Sequence, residues 1–223
     1  MSVCKAEYFE MRDINMGKIR ILLLLTSILF LLYLTNCSLD VPDPGKKIYG
    51  EGPLVTQYIN ADSFKIFQHI GVGSVIITTG DSLEITVRAQ QNILDEMAFG
   101  FGNDIFAWGF KEEVDIVETD TILLTIKMPN DIEAIFVSGI GNLTVVGEKQ
   151  ESIYVEIIGL AEISAFDLEV DVCELHISGN AKCRFFVNEE IKGSISGIGE
   201  IWYKGDPEIN VDLYGNGKFW DAN

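Results

Sequence analysis

A six-residue pattern recurs five times in the second half of the chain, and it limits the fold more than any other feature. Ser138-Gly-Ile-Gly-Asn-Leu143 is echoed by Ile158-Gly-Leu-Ala-Glu-Ile163, Ser178-Gly-Asn-Ala-Lys-Cys183, Ser196-Gly-Ile-Gly-Glu-Ile201 and Tyr214-Gly-Asn-Gly-Lys-Phe219. The starts lie 20, 20, 18 and 18 residues apart. The second position is always glycine, the fourth is Gly or Ala, and the sixth is apolar. A unit of this length holds two or three short strands and cannot bury its apolar side alone. Stacking the units does so, which is the logic of a solenoid. The constant glycine marks a corner that either requires positive φ or has no room for a Cβ.

The fifth position gives an independent check. It runs Asn142, Glu162, Lys182, Glu200, Lys218. If coils stack in register about 4.8 Å apart, the last four members alternate in sign. Opposite charges on neighbouring strands are favourable and like charges are not. The pattern therefore predicts an all-β fold, with a parallel β-helix-like solenoid of coils of 18–20 residues in the C-terminal half.

The rest of the chain from residue 48 reads as strands and turns. Leu83, Ile85 and Val87 alternate with Glu84, Thr86 and Arg88, the period of a half-buried strand. Residues 121–128 and 209–213 behave the same way. Only residues 90–98 look locally helical, and a plain loop fits them as well.

The N-terminus reads as an address. Residues 21–34 form a 14-residue apolar run behind Lys18 and Arg20. That is short for a membrane span, which needs roughly 20 residues, and it has the layout of a secretory signal peptide. The run exits through Leu34-Thr35-Asn36-Cys37, which resembles a bacterial lipobox. That resemblance implies cleavage before Cys37 and a lipid on its sulfur, although Asn36 stands where the pattern prefers a small residue. Acidic Glu7, Glu10 and Asp13 precede Met16, so Met16 is the expected true start. The expected organisation is a signal peptide over 1–36, a lipidated cysteine and Pro-containing tether over 37–48, and a single domain over 49–223.

Charge narrows the partners. The chain carries 16 basic and 34 acidic residues, a net of −18. Such a chain repels a phosphate backbone, so nucleic acid is excluded as a partner. Two histidines and four cysteines are too few for most zinc or iron–sulfur frameworks, and no cofactor or metal is expected. The nucleophile elbow, the P-loop and the His-Glu-Xaa-Xaa-His zinc motif are missing from the sequence.

The repeated Ser-Gly-Ile-Gly-Asn turns, with Gly71-Val-Gly-Ser-Val-Ile-Ile77 and the opening Gly50-Glu-Gly52, resemble the head GIN domain of auto-transporter adhesins over residues 50–219. The resemblance implies a β-helix-like, all-β domain on the cell envelope. It brings no catalytic residues. Ser38 after the cysteine resembles outer-membrane sorting signals, so an outer-membrane lipoprotein facing the periplasm or the surface is expected.

Individual residues fit that frame. His176 lies between Leu175 and Ile177 and is expected to face solvent; His69 is expected to be a surface or turn histidine. Cys173 and Cys183 fall at apolar positions and read as buried free thiols. Asp167, Glu169 and Asp171 read as a solvated acidic face, and Phe106, Trp108 and Phe110 as core. After the sixth position come Thr144, Ser164, Arg184, Trp202 and Trp220, which alternation turns outward. Trp202 and Trp220, with Tyr203 beside them, either close the end of the stack or grip a sugar face or a partner protein.

The function expected from these features is a non-catalytic lipoprotein of the cell envelope, a binding, adhesion or structural module. It meets the membrane through its N-terminal lipid and has a glycan or protein partner. The competing expectation is a β-helix enzyme, a polysaccharide lyase or hydrolase. That would need acidic and basic side chains converging on one outer sheet.

Overall fold

Alternation of apolar and polar residues, with almost no helix-period sequence, produces a structure made of strands. The computed structural model describes residues 46–111, 114–118 and 122–223. The expected signal peptide, Met16, Cys37 and most of the tether lie outside the described residues. The first strand, β1 (Lys46–Tyr49), begins inside the stretch expected to be tether, and pairs in parallel with β8 (Val114–Glu118).

The other strands form one large sheet built as two parallel ladders. The first ladder begins with β2 (Leu54–Ile59), β5 (Glu84–Gln90) and β9 (Leu123–Met128), joined antiparallel. It continues in parallel through β4 (Val72–Thr79), β11 (Ile140–Val146) and the first half of β13 (Leu160–Ile177). The first half of β14 (Asn180–Ile195), β15 (Ile198–Lys204) and β17 (Asn216–Asp221) complete it. The second ladder starts from the antiparallel pair β6 (Met97–Gly102) and β7 (Ile105–Phe110). It runs through β3 (Ile66–His69), β10 (Ala134–Val137), β12 (Gln150–Ile157), the second halves of β13 and β14, and β16 (Glu208–Leu213). The expected helical stretch contracts to one turn, α1 (Gln91–Leu94), which buries Ile93 and Leu94.

Register follows the repeat. Leu143, Ile163, Cys183, Ile201 and Phe219 stack as neighbours in the first ladder. The first four of these are fully buried and Phe219 packs against them at the end of the row. The second ladder buries a parallel row of Trp108, His69, Val137, Ile157, Ile177 and Ile195. The change of spacing from 20 to 18 residues has a local cause. Ala165 pairs with Phe185 but Glu169 pairs with Phe186, so residues 166–168 of β13 have no counterpart in β14. Val170 then pairs with Val187 but Val172 with Glu190, so β14 carries one extra residue there, and three less one leaves the two-residue change.

The corner glycines resolve the choice between backbone conformation and space. None of the five has a positive φ. A Cβ on Gly139, Gly159, Gly179, Gly197 or Gly215 would instead overlap the carbonyl oxygen of the glycine at the same register beside it, Gly71, Gly139, Gly159, Gly179 or Gly197 in turn. That oxygen accepts the N–H of the residue after the facing glycine, as in Leu160 N–H to Gly139 O at 3.1 Å and Ile198 N–H to Gly179 O at 2.9 Å.

Candidate binding surface

The period of two that sends the sixth repeat position inward sends the third, fifth and seventh outward. Three side-chain columns therefore run across the outer face of the first ladder. The fifth-position column stands in the expected register, Asn142 beside Glu162, Glu162 beside Lys182, Lys182 beside Glu200, and Glu200 beside Lys218. Lys182 Nζ lies 4.0 Å from Glu200. These pairs are largely exposed, so each contributes little by itself.

The seventh-position column carries the aromatics. Arg184, Trp202 and Trp220 are successive register neighbours. Arg184 Cζ sits 5.3 Å from the Trp202 ring centroid, a cation–π contact, and its Nη1 donates to Glu162. Trp220 is 47% exposed at the end of the column. Tyr203 is placed differently. It stacks on Phe185 in the inward column and packs against the core. The structure thus brings Trp202 and Trp220 together on the outer face and directs Tyr203 to the other side of the strand.

Beside the charged column lies a groove of about 680 Å³. Its sides include the third-position residues Ile140, Leu160 and Ile198 and the fifth-position residues Glu162, Lys182 and Glu200. The three aliphatic side chains are about half exposed. The small fourth-position residues Gly141, Ala161 and Ala181 form its floor. This arrangement can hold an extended molecule across the strands through apolar and hydrogen-bonding contacts.

On the second ladder, Glu174, His176 and Ser194 meet, as sequence reasoning missed. His176 Nδ1 is 2.9 Å from Ser194 Oγ and Nε2 is 3.2 Å from Glu174 Oε1. The order resembles a nucleophile, base and orienting acid, but a catalytic serine also needs N–H donors for the oxyanion. Ser194 lies in a strand paired on both sides, with β13 and β16, so its neighbouring amides belong to the ladders. The cluster is a polar patch on an outer face, and His176 faces outward as alternation requires.

His69 is a correction. It is fully buried, not a surface or turn residue. It occupies an inward position of β3 between Trp108 and Val137. Trp108 Nε1–H donates to Nδ1 at 2.9 Å and Nε2–H donates to the Ile140 carbonyl at 3.2 Å. Both ring nitrogens are satisfied in the neutral form, and burial holds the pKa below its ordinary value. Period two within Ile66–His69 carries this signal, since Phe67 and His69 share a face.

The remaining candidates stand as follows. Phe106 and Trp108 are buried and Phe110 packs against the core. Cys173 and Cys183 are free and buried, and burial raises both thiols, Cys173 to about 12. Asp171 and Glu169 share Lys149, at 2.6 and 3.4 Å, and both accept from Asn188 Nδ2, while Asp167 is exposed. Among the described residues no three His, Cys, Asp or Glu side chains gather as a metal site. No helix among them is long and apolar enough to cross a membrane.

No curated protein matches the chain. Among solved structures, the chain is similar to one described as a "putative adhesin" from Bacteroides fragilis at 16% identity and TM-score 0.54, over 78% of this chain and 99% of that one. It is also similar, at 16% identity and TM-score 0.42, to an adhesin from Parabacteroides merdae, over 80% of this chain and 100% of that one. A structure described as a lipid binding protein from Parabacteroides distasonis gives the same identity and TM-score, over 80% and 100% of the two chains. At such identity the likeness to the Bacteroides structure speaks for the fold alone. Residues 134–207 match the family model described as "Putative auto-transporter adhesin, head GIN domain". That interval contains four of the five repeats, the part of the chain whose glycine pattern resembles the head GIN domain.

Proposed function

We propose that this chain is a non-catalytic binding module of the cell envelope, an adhesion lipoprotein held to the outer membrane by lipid on Cys37. Residues 1–36 act as its signal peptide and residues from 49 onward as one head-GIN-like domain. Its coils form a parallel β-helix-like solenoid. The in-register stacking of five repeats at 18–20 residues supports that reading.

The observation that carries the function is the outer face of the first ladder. There Arg184, Trp202 and Trp220 line up beside a groove edged by Ile140, Leu160 and Ile198. A flat aromatic and aliphatic surface with alternating charge is suited to the face of a polysaccharide or to a partner protein. The family match and the adhesin name of the Bacteroides structure agree with this use.

The test has two readouts on the full chain produced in a Gram-negative host. Intact mass with membrane fractionation reads the anchor. The mass of the chain from Cys37 plus acyl groups is expected, lost in Cys37→Ser; an unprocessed chain in both removes lipidation. Binding to a glycan array reads the face. Trp220→Ala is expected to lower the signal at least tenfold, and unchanged binding removes the tryptophan strip.

A further inference from the structure

Among the described residues, the coil that holds β16 and β17 leaves the core open. Ile191 and Ile195 of β14 are fully buried, but their register partners in β16, Ile209 and Leu213, are 38% and 52% exposed. In the first ladder Ile201 is fully buried while its partner Phe219 is covered only in part. Among the described residues β16 pairs only with β14 and β17 only with β15, so each has an edge there with no strand on it, on the same side of the stack. Two adjacent strand edges beside exposed core side chains form a template for further pairing.

We infer that this end docks onto the same end of a second copy, with β16 of each chain pairing antiparallel to β17 of the other about a two-fold axis through the Gly215 corners. The argument is self-complementarity. A two-fold through residue 215 sets each residue opposite the one equally far on the other side of the corner. Inward positions then meet inward positions. Leu213 falls opposite Gly217, the position with no side chain, Val211 opposite Phe219, and Ile209 opposite Asp221 at the rim of the contact, farthest from the axis. Outward positions meet likewise. Lys218 falls opposite Asp212, an attractive pair formed twice by symmetry, and Trp220 opposite Asn210. Near the axis apolar side chains meet an apolar or absent one inside, and Lys218 meets Asp212 outside, as an isologous interface requires. The contact covers both open edges and the exposed core row at once. It leaves the outer face carrying Trp202 and Trp220 facing outward on both copies, so it does not rest on what that face binds.

Sedimentation equilibrium of the full chain in density-matched detergent, together with directed cross-linking, tests this. A dimer is expected. Asp212→Lys is expected to weaken it about tenfold or more by setting like charges opposite each other twice. Within its own chain Asp212 neighbours neutral Ser194, so the fold is little disturbed. Adding Lys218→Asp is expected to restore the dimer to within about threefold. When a Lys218→Cys chain is co-expressed with a differently tagged Asp212→Cys chain, a disulfide joining the two tags is expected. A monomer at every concentration overturns the inference. So does a dimer indifferent to Asp212→Lys, or one in which the two cysteines never join.

Discussion

The carbonyl oxygen of Gly159 occupies the space that a Cβ on Gly179 would need. The same oxygen accepts the Asn180 N–H at 3.0 Å, so it cannot move aside without breaking the corner bond between repeats. Gly179→Ala must therefore push two neighbouring repeats apart at their closest approach. Overpacking in a core typically costs about 1–3 kcal/mol, and a backbone obstacle yields less than a side chain, so a loss of about 3 kcal/mol is expected. Gly100→Ala serves as the control, because a Cβ there meets only Ala107 at 3.8 Å and φ is not positive. That change should stay within about 0.5 kcal/mol of wild type. Urea unfolding of the two variants reads the difference, and equal effects would show that the corner has slack.

His69 links folding to pH. Its folded pKa is lowered by burial, against the partly opposing bond to the Ile140 carbonyl. Unfolded, it titrates near the ordinary 6.5. Below that pH the unfolded chain takes up a proton that the folded chain does not, so stability falls as pH drops from about 7.5 to 5.5. The steepest loss from one such group is about 1.4 kcal/mol per pH unit. Asp171, whose pKa is lowered chiefly by its bond from Lys149, acts below its ordinary 3.8 and outside this window. His69→Phe should be less stable at every pH, since Trp108 Nε1–H loses its acceptor. Its stability should nevertheless depend less on pH. The slope of the unfolding midpoint between pH 5.5 and 7.5 is the measurement, and a slope unchanged by the substitution would count against His69.

Cys173 and Cys183 should be silent in the folded protein. With a thiol pKa near 12, roughly one Cys173 in ten thousand is thiolate at pH 8, and only the thiolate attacks. Alkylation at pH 8 followed by peptide mapping should find both residues unmodified in native protein and both modified in denaturant. Native labelling at either would mean that the core opens locally.

Much of the first ladder could be read from the sequence because its register is written into the repeat. Five copies at near-constant spacing align Glu162 with Lys182 and Lys182 with Glu200 with no further information. The bulge at residues 166–168 and the compensating extra residue in β14 could not be read, since together they show only as a two-residue change in spacing. His69 was misplaced for a related reason. Its strand has four residues, and its neighbours β7 and β10 come from distant segments outside the repeat. Only the pairing reveals that His69 stacks between Trp108 and Val137. Tyr203 was grouped with Trp202 by adjacency in sequence, whereas alternation along β15 separates them. The Glu174–His176–Ser194 cluster spans two coils, at an offset that the six-residue pattern does not mark.

The charged column permits a last test of the stacking. Lys182 stands between Glu162 and Glu200, its register neighbours on either side. Lys182→Glu would set three carboxylates in a row on adjacent strands. Like charges directly opposite destabilise by roughly 0.2–1 kcal/mol per pair, and two pairs are created while two attractive ones are lost. These side chains are well exposed, so the expected loss is about 1 kcal/mol at low ionic strength. Salt should relieve it, since the Debye length falls to about 3 Å at 1 M. Lys127→Glu is a comparison of another kind. Lys127 lies opposite Glu84 in an antiparallel pair and lacks the second carboxylate neighbour of the stacked column. Its salt-dependent loss should be smaller. Unfolding midpoints of both variants at about 0.05 M and 1 M salt decide the matter. A Lys182→Glu penalty that is absent, or that does not shrink with salt, would mean that the column is not electrostatically coupled along the stack.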